Sequence, residues 1–165
     1  MLDEQELGGW GGVIDAIDEW PPGESFSPDG FPTDYDRACR ISGYLGTIPV
    51  GATQALVIAD EPLPTTWVPA ASGGTIVRYL YTACDDPPVD WLDGLPDSIF
   101  EQETTLLVAG ETLVLFDAAI AGRDVLGEPA QHLVLNLRPG LYNVKTATYE
   151  PNAETSMVLH RLEST

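Results

Sequence analysis

The chain has 165 residues, 44% of them hydrophobic, enough for one domain whose core needs neither metal nor disulfide to hold it. Its 26 acidic residues against 7 basic ones give a formal net charge of −19, which excludes nucleic acid as a partner, because affinity for phosphates comes from Lys and Arg displacing counterions. No apolar run approaches the roughly 20 residues that cross a bilayer, and the acidic start Met1-Leu2-Asp3-Glu4-Gln5-Glu6 is not a secretory signal, so a cytoplasmic protein without a membrane partner is expected.

Residues 1–32 read as an irregular segment in front of a β-rich core, 33–165, the two forming a single domain. Gly8-Gly9-Trp10-Gly11-Gly12 precedes a short apolar run, Val13-Ile14-Asp15-Ala16-Ile17, that alternates well enough for one strand. The Pro- and Gly-rich stretch from Pro21 to Pro32 is a loop. Thr33 or Asp34 then caps a short helix through about Ile41, with Asp36 in its first turn and Gly43 at its end.

From Gly46 onward β signals dominate. Thr47–Val50 and Gln54–Ile58 flank a hairpin turn, with Pro49 marking an edge strand or a bulge. Thr65–Val68 and Thr75–Tyr81 flank Ser72-Gly73-Gly74, another turn, and the second run is β-branched and aromatic. Val89–Leu92, between prolines and a glycine, is a helical turn or loop. Thr104–Val108 and Glu111–Phe116 bracket Ala109-Gly110 as a two-residue hairpin. A three-strand meander follows: His132–Leu137, a turn at Pro139-Gly140, Leu141–Tyr149, and Ser156–Leu162. The sum is a mainly β fold, an antiparallel β-sandwich or strongly bent sheet of about eight to nine short strands with one short helix.

Chemistry is sparse. Cys39 and Cys84 lack the spacing of a metal or redox pair and are expected to be reduced, buried thiols. His132 and His160 lie in strands that the meander would make neighbours. With a carboxylate they would suit a metal-dependent hydrolase, but no short-spaced ligand pair accompanies them. There is no nucleophile elbow, phosphate-binding loop or dinucleotide fingerprint, so neither a cofactor nor a catalytic residue is expected. Trp10, Trp20 and Trp91 sit in Gly/Pro/Asp-rich segments, where each serves either as an interface anchor or as a cap on the core; Trp67, in a strand, belongs to the core.

Several stretches together resemble a family of bacterial immunity proteins, immunity protein 21. They are Asp34-Tyr35-Asp36-Arg37-Ala38-Cys39, Gly43-Tyr44-Leu45-Gly46, Ile48-Pro49-Val50-Gly51, the block from Ala55 to Pro69, Leu115-Phe116-Asp117-Ala118-Ala119, and the end from Leu137 to Leu162. The stretch from Asp60 to Pro69 is the most specific of these. Gly8-Gly9-Trp10-Gly11-Gly12 departs from the family's Trp-led strand in the order of its residues. The resemblance implies a cytoplasmic, non-catalytic factor, encoded beside a polymorphic toxin, that protects the producing cell.

Acidity points the same way, since a negative surface speeds encounter with a basic protein. The expectation is an antitoxin-type inhibitor, not an enzyme, that occludes a cognate toxin with a basic surface, a nuclease. Within the matched motifs Asp34, Asp36, Asp60, Glu61 and Asp117 are candidates for polar contacts; outside them, Trp91 is a candidate aromatic anchor. The same acids also suit local roles: Asp34 as a helix cap, Asp36 paired with Arg40, and Asp60-Glu61-Pro62 shaping a turn. Two other readings stay open, the metal-dependent hydrolase at His132 or His160 and a non-catalytic structural or phage-borne β-module.

Overall fold

The computed structural model of the chain describes residues 1–13, 33–59, 61–84, 90–127 and 131–165. In chain order these form β1 (Leu2–Asp3), a 3-10 turn (Glu4–Gly9), α1 (Asp34–Ala38), β2 (Leu45–Val50), β3 (Thr53–Ile58), β4 (Thr65–Ala70) and β5 (Gly73–Thr82). Two 3-10 turns, Asp90–Leu92 and Asp97–Ile99, lead to β6 (Gln102–Val108) and β7 (Thr112–Phe116). Then come α2 (Gly122–Val125), β8 (His132–Asn136), β9 (Gly140–Asn152) and β10 (Thr155–Ser164). The fold is mainly β, as the alternation requires, with ten strands and a second short helix among the described residues. The strand expected at Val13–Ile17 and the loop after it fall, beyond Val13, outside those residues.

All pairing is antiparallel, in three sheets: β4-β5-β10-β9-β6, β1-β7-β8 and β2-β3. The two smaller sheets are stitched together by Met1, whose amino group donates to the Leu56 carbonyl (2.7 Å) and whose carbonyl accepts from the Leu56 amide (2.9 Å). Full burial lowers the pKa of that amine from 8.0 to about 5, because the apolar surroundings penalise its charge.

Side-chain parity places the core. Ile76 of β5, Leu106 and Val108 of β6, Val144 of β9 and Leu162 of β10 meet Leu56, Leu113 and Leu135 of the smaller sheets, so those sheets cover one face of the five-stranded sheet. Residues of the opposite parity, Val77, Met157 and Leu159, point the other way, where Trp91, Leu92, Leu95 and Phe100 cover them. Arg161 fastens that covering segment. It donates to Asp97 (2.9 Å) and to the Leu95 carbonyl (3.3 Å), and its guanidinium lies 4.2 Å from the centre of the Phe100 ring.

Two of the expected hairpins do not form. β6 pairs with β9, with Val108 opposite Gly140, while β7 pairs with β1 and β8. Ala109-Gly110 is therefore a corner between sheets, fixed where the Gly110 amide donates to the Asp3 carboxylate (2.6 Å). Pro139-Gly140 is likewise a corner, because β8 belongs to the smaller sheet and only β9 and β10 form the end of the expected meander. Alternation reports which face a residue takes, not which strand lies beside it, so a short turn-like link reads the same in both cases. The hairpins at β2–β3 and β4–β5 do form, and Gly51, at φ +54°, supplies the left-handed residue that the first of these turns needs.

Helix α1 is capped by Thr33 in a complete capping box: the Asp36 amide donates to Thr33 Oγ1, and the Thr33 amide donates to the Asp36 carboxylate. It stops at Ala38, short of the Ile41 expected. The Arg40 and Ile41 amides donate to the carbonyls three residues back, which tightens the chain out of α geometry.

Candidate functional site

A groove of about 1150 Å3 opens where α1, β3, the end of β7 and the start of β8 converge. Its depth is apolar, with Leu56 and Ile58 from β3, Leu115 and Phe116 from β7, and Leu133 from β8. Trp10 braces the wall, edge-on to Phe116 with ring centres 5.6 Å apart, its indole N–H donating to the Ala118 carbonyl (2.9 Å). The mouth is polar and aromatic: Tyr35 and Cys39 from α1, Tyr44 before β2, Glu61 in the loop before β4, Asp117 after β7, and His132.

Two local devices fix the acidic residues of the mouth. Asp117 folds back to accept the Ala119 amide (2.9 Å), an Asx turn that ends β7 with its carboxylate at the groove. The loop carrying Glu61 is held from beneath by Arg78 of β5, 5% exposed, whose guanidinium donates to the carbonyls of Ala59 (2.6 Å) and Glu61 (2.7 Å). One planar fork thus spans both sides of position 60. Inside α1 the Tyr35 phenol sits above its ordinary pKa range, first because it hydrogen-bonds Cys39, and further because Asp117 and Asp36 place negative charge near it.

The candidate residues divide between two places. Glu61 and Asp117 both line the groove. Asp34 and Asp36 stand beside it in α1 with local partners: Asp34 accepts the Gly11 amide (2.7 Å) and pairs with Arg37, and Asp36 completes the capping box. The expected Asp36–Arg40 pair is therefore replaced by Asp34–Arg37, because Asp36 is already taken by Thr33. Asp60 lies outside the described residues, as does Trp20. Trp91 is half-buried on the far face of the five-stranded sheet, packed into the cluster around Met157 and Leu159. Trp10 is buried, and Trp67 is half-buried against the separate cluster that holds Leu56 and Ile76.

His132 and His160 are not neighbours, since their strands belong to different sheets. His160 is fully buried on the inner face. Its Nδ1 bonds the Thr146 hydroxyl, and its Nε2 has no hydrogen-bond partner among the described residues. Burial, with Arg78 nearby, lowers its pKa from 6.5 to about 3, so it is neutral at physiological pH. No group of three His, Cys, Asp or Glu among the described residues is arranged to hold a metal. Cys39 and Cys84 are exposed and not joined in a disulfide, contrary to the burial expected of them, because they sit just past the ends of α1 and β5 and not on an inward strand face.

Tyr44 and Arg78 were missed as functional residues. Tyr44 stands inside one of the quoted motifs, and Arg78 shares the inward parity of Ile76, a signal that a buried cation must be holding something.

The model of the family described as immunity protein 21 matches residues 2–155. The chain belongs to the immunity protein 21 family. The match takes in the segment before Thr33, although its Gly8–Gly12 run departs from the expected order. No curated protein and no solved structure matches the chain. Membership implies an immunity protein, with a cognate toxin as its partner. No helix among the described residues is long and apolar enough to cross a membrane.

Proposed function

We propose that this immunity protein acts in the cytoplasm and neutralises a toxin with a basic surface, a nuclease, by occluding its active cleft. The observation that carries the proposal is the disposition of charge. Of the 7 basic residues, Arg37, Arg123, Lys145 and Arg161 are paired with the chain's own acids, and Arg78 is buried on backbone carbonyls. A net charge of −19 is left to set the external field. Such a field accelerates encounter with a basic cleft and repels nucleic acid competing for the same cleft.

Co-expression with the toxin encoded beside it tests this. Cells survive, and the two proteins co-purify at low ionic strength, if the proposal is right. Death of the cells with no complex recovered contradicts it. So does a toxin whose active surface is acidic.

A further inference from the structure

The groove combines two properties that a merely acidic surface would not need together: an apolar depth between the sheets and an acidic, aromatic lip. Phe116 and Leu133 line the depth, while Tyr44 is 42% exposed at the mouth. Apolar surface facing water is unfavourable, so a partner side chain that fills the groove gains by removing it from solvent. Glu61 and Asp117 reach the mouth from two different loops, each held in place by the backbone contacts described above. Arg78, also in the lining, is buried with its guanidinium bonded to carbonyls of its own chain, so it braces the lip.

Given the inhibitor reading above, on which this rests, we propose that the groove seats a segment of the toxin. A bulky apolar side chain of that segment enters between the sheets, and a neighbouring Lys or Arg meets Glu61 and Asp117. Charge selects this occupant. A second copy of the chain would bring another −19 to the same place and be repelled.

The probe is a random peptide library displayed against the intact chain at low ionic strength. Recovered sequences pair an aromatic or long aliphatic residue with Lys or Arg. A synthetic peptide of that consensus binds Tyr44→Ala and Glu61→Lys at least about tenfold more weakly than the parent chain. It binds Asp93→Lys, the same charge change on the segment covering the opposite sheet face, as the parent does. Peptides without a cation overturn the proposal, as does equal binding to Glu61→Lys and Asp93→Lys. Self-association that Tyr44→Ala abolishes would give the groove to a second copy and overturn it too. The toxin itself separates the two readings. If it binds Tyr44→Ala and Glu61→Lys with undiminished affinity, the groove assignment fails while the inhibitor reading stands. If it fails to bind even the parent chain, the inhibitor reading is the one that fails.

Discussion

Arg78 and His160 lie on the same inward face of the five-stranded sheet, and they answer to different physics. Arg78 is a buried cation that donates to two backbone carbonyls, so removing its fork leaves the Ala59 and Glu61 carbonyls without that donor. Arg78→Met is expected to lower stability by about 2–4 kcal/mol in chemical denaturation, and Arg78→Lys to recover only part of it, since an ammonium cannot span both acceptors. Parent-like stability in Arg78→Met would show that the loop stands without it. His160 gives a pH signature. Its pKa falls from 6.5 to about 3 on folding, so between those values the unfolded chain binds the proton and the folded chain does not. Stability from this residue is complete above about pH 6.5 and is lost as pH falls towards 3, by up to about 1.4 kcal/mol per pH unit. His160→Gln should lose less stability than the parent across that window. Parallel pH profiles for the two would contradict the buried, neutral ring.

At the scale of elements, the decisive feature is that β6 and β7 are consecutive in sequence and separate in space. Leu107 of β6 stands directly opposite Leu141 of β9, and both are exposed. With Cys39 and Cys84 replaced by serine, the pair Leu107→Cys and Leu141→Cys should oxidise to a disulfide without unfolding the protein. If it stays reduced under conditions that oxidise a matched pair in β9 and β10, the register is wrong. The close approach of α2 to the first 3-10 turn gives a second test. A Cβ on Gly122 would lie 1.7 Å from the Leu7 carbonyl oxygen, so Gly122→Ala must push the two elements apart, a loss of about 1–3 kcal/mol in thermal or chemical melts. These two features also mark how far the sequence could be read. Strand existence, the capped helix and the β4–β5 hairpin follow from parity and turn residues that act within a few positions. The corners at Ala109-Gly110 and Pro139-Gly140 do not, because the choice between hairpin and corner rests on partners such as Asp3 and β10, remote in sequence. The groove was half legible for the same reason. Glu61 and Asp117 stood out within motifs, but only folding brings them to one mouth with Tyr44, and only folding carries Trp91 to the other face.

For the molecule as a whole, a net charge of −19 sets the field, while most of the basic residues are paired or buried. Such a field raises association rates most at low ionic strength, and screening over roughly 8–10 Å at physiological salt weakens it. An apolar anchor in the groove would be nearly indifferent to salt, so both contributions are visible in one titration. The direct measurement is the affinity and association rate of the intact protein for the toxin encoded beside it, followed by stopped-flow mixing and calorimetry as ionic strength is raised. A tight complex is expected, whose association slows steeply with salt while its dissociation changes little, with the toxin's activity lost at equimolar protein. A toxin that stays active when saturated, or an association rate that ignores salt, would contradict it.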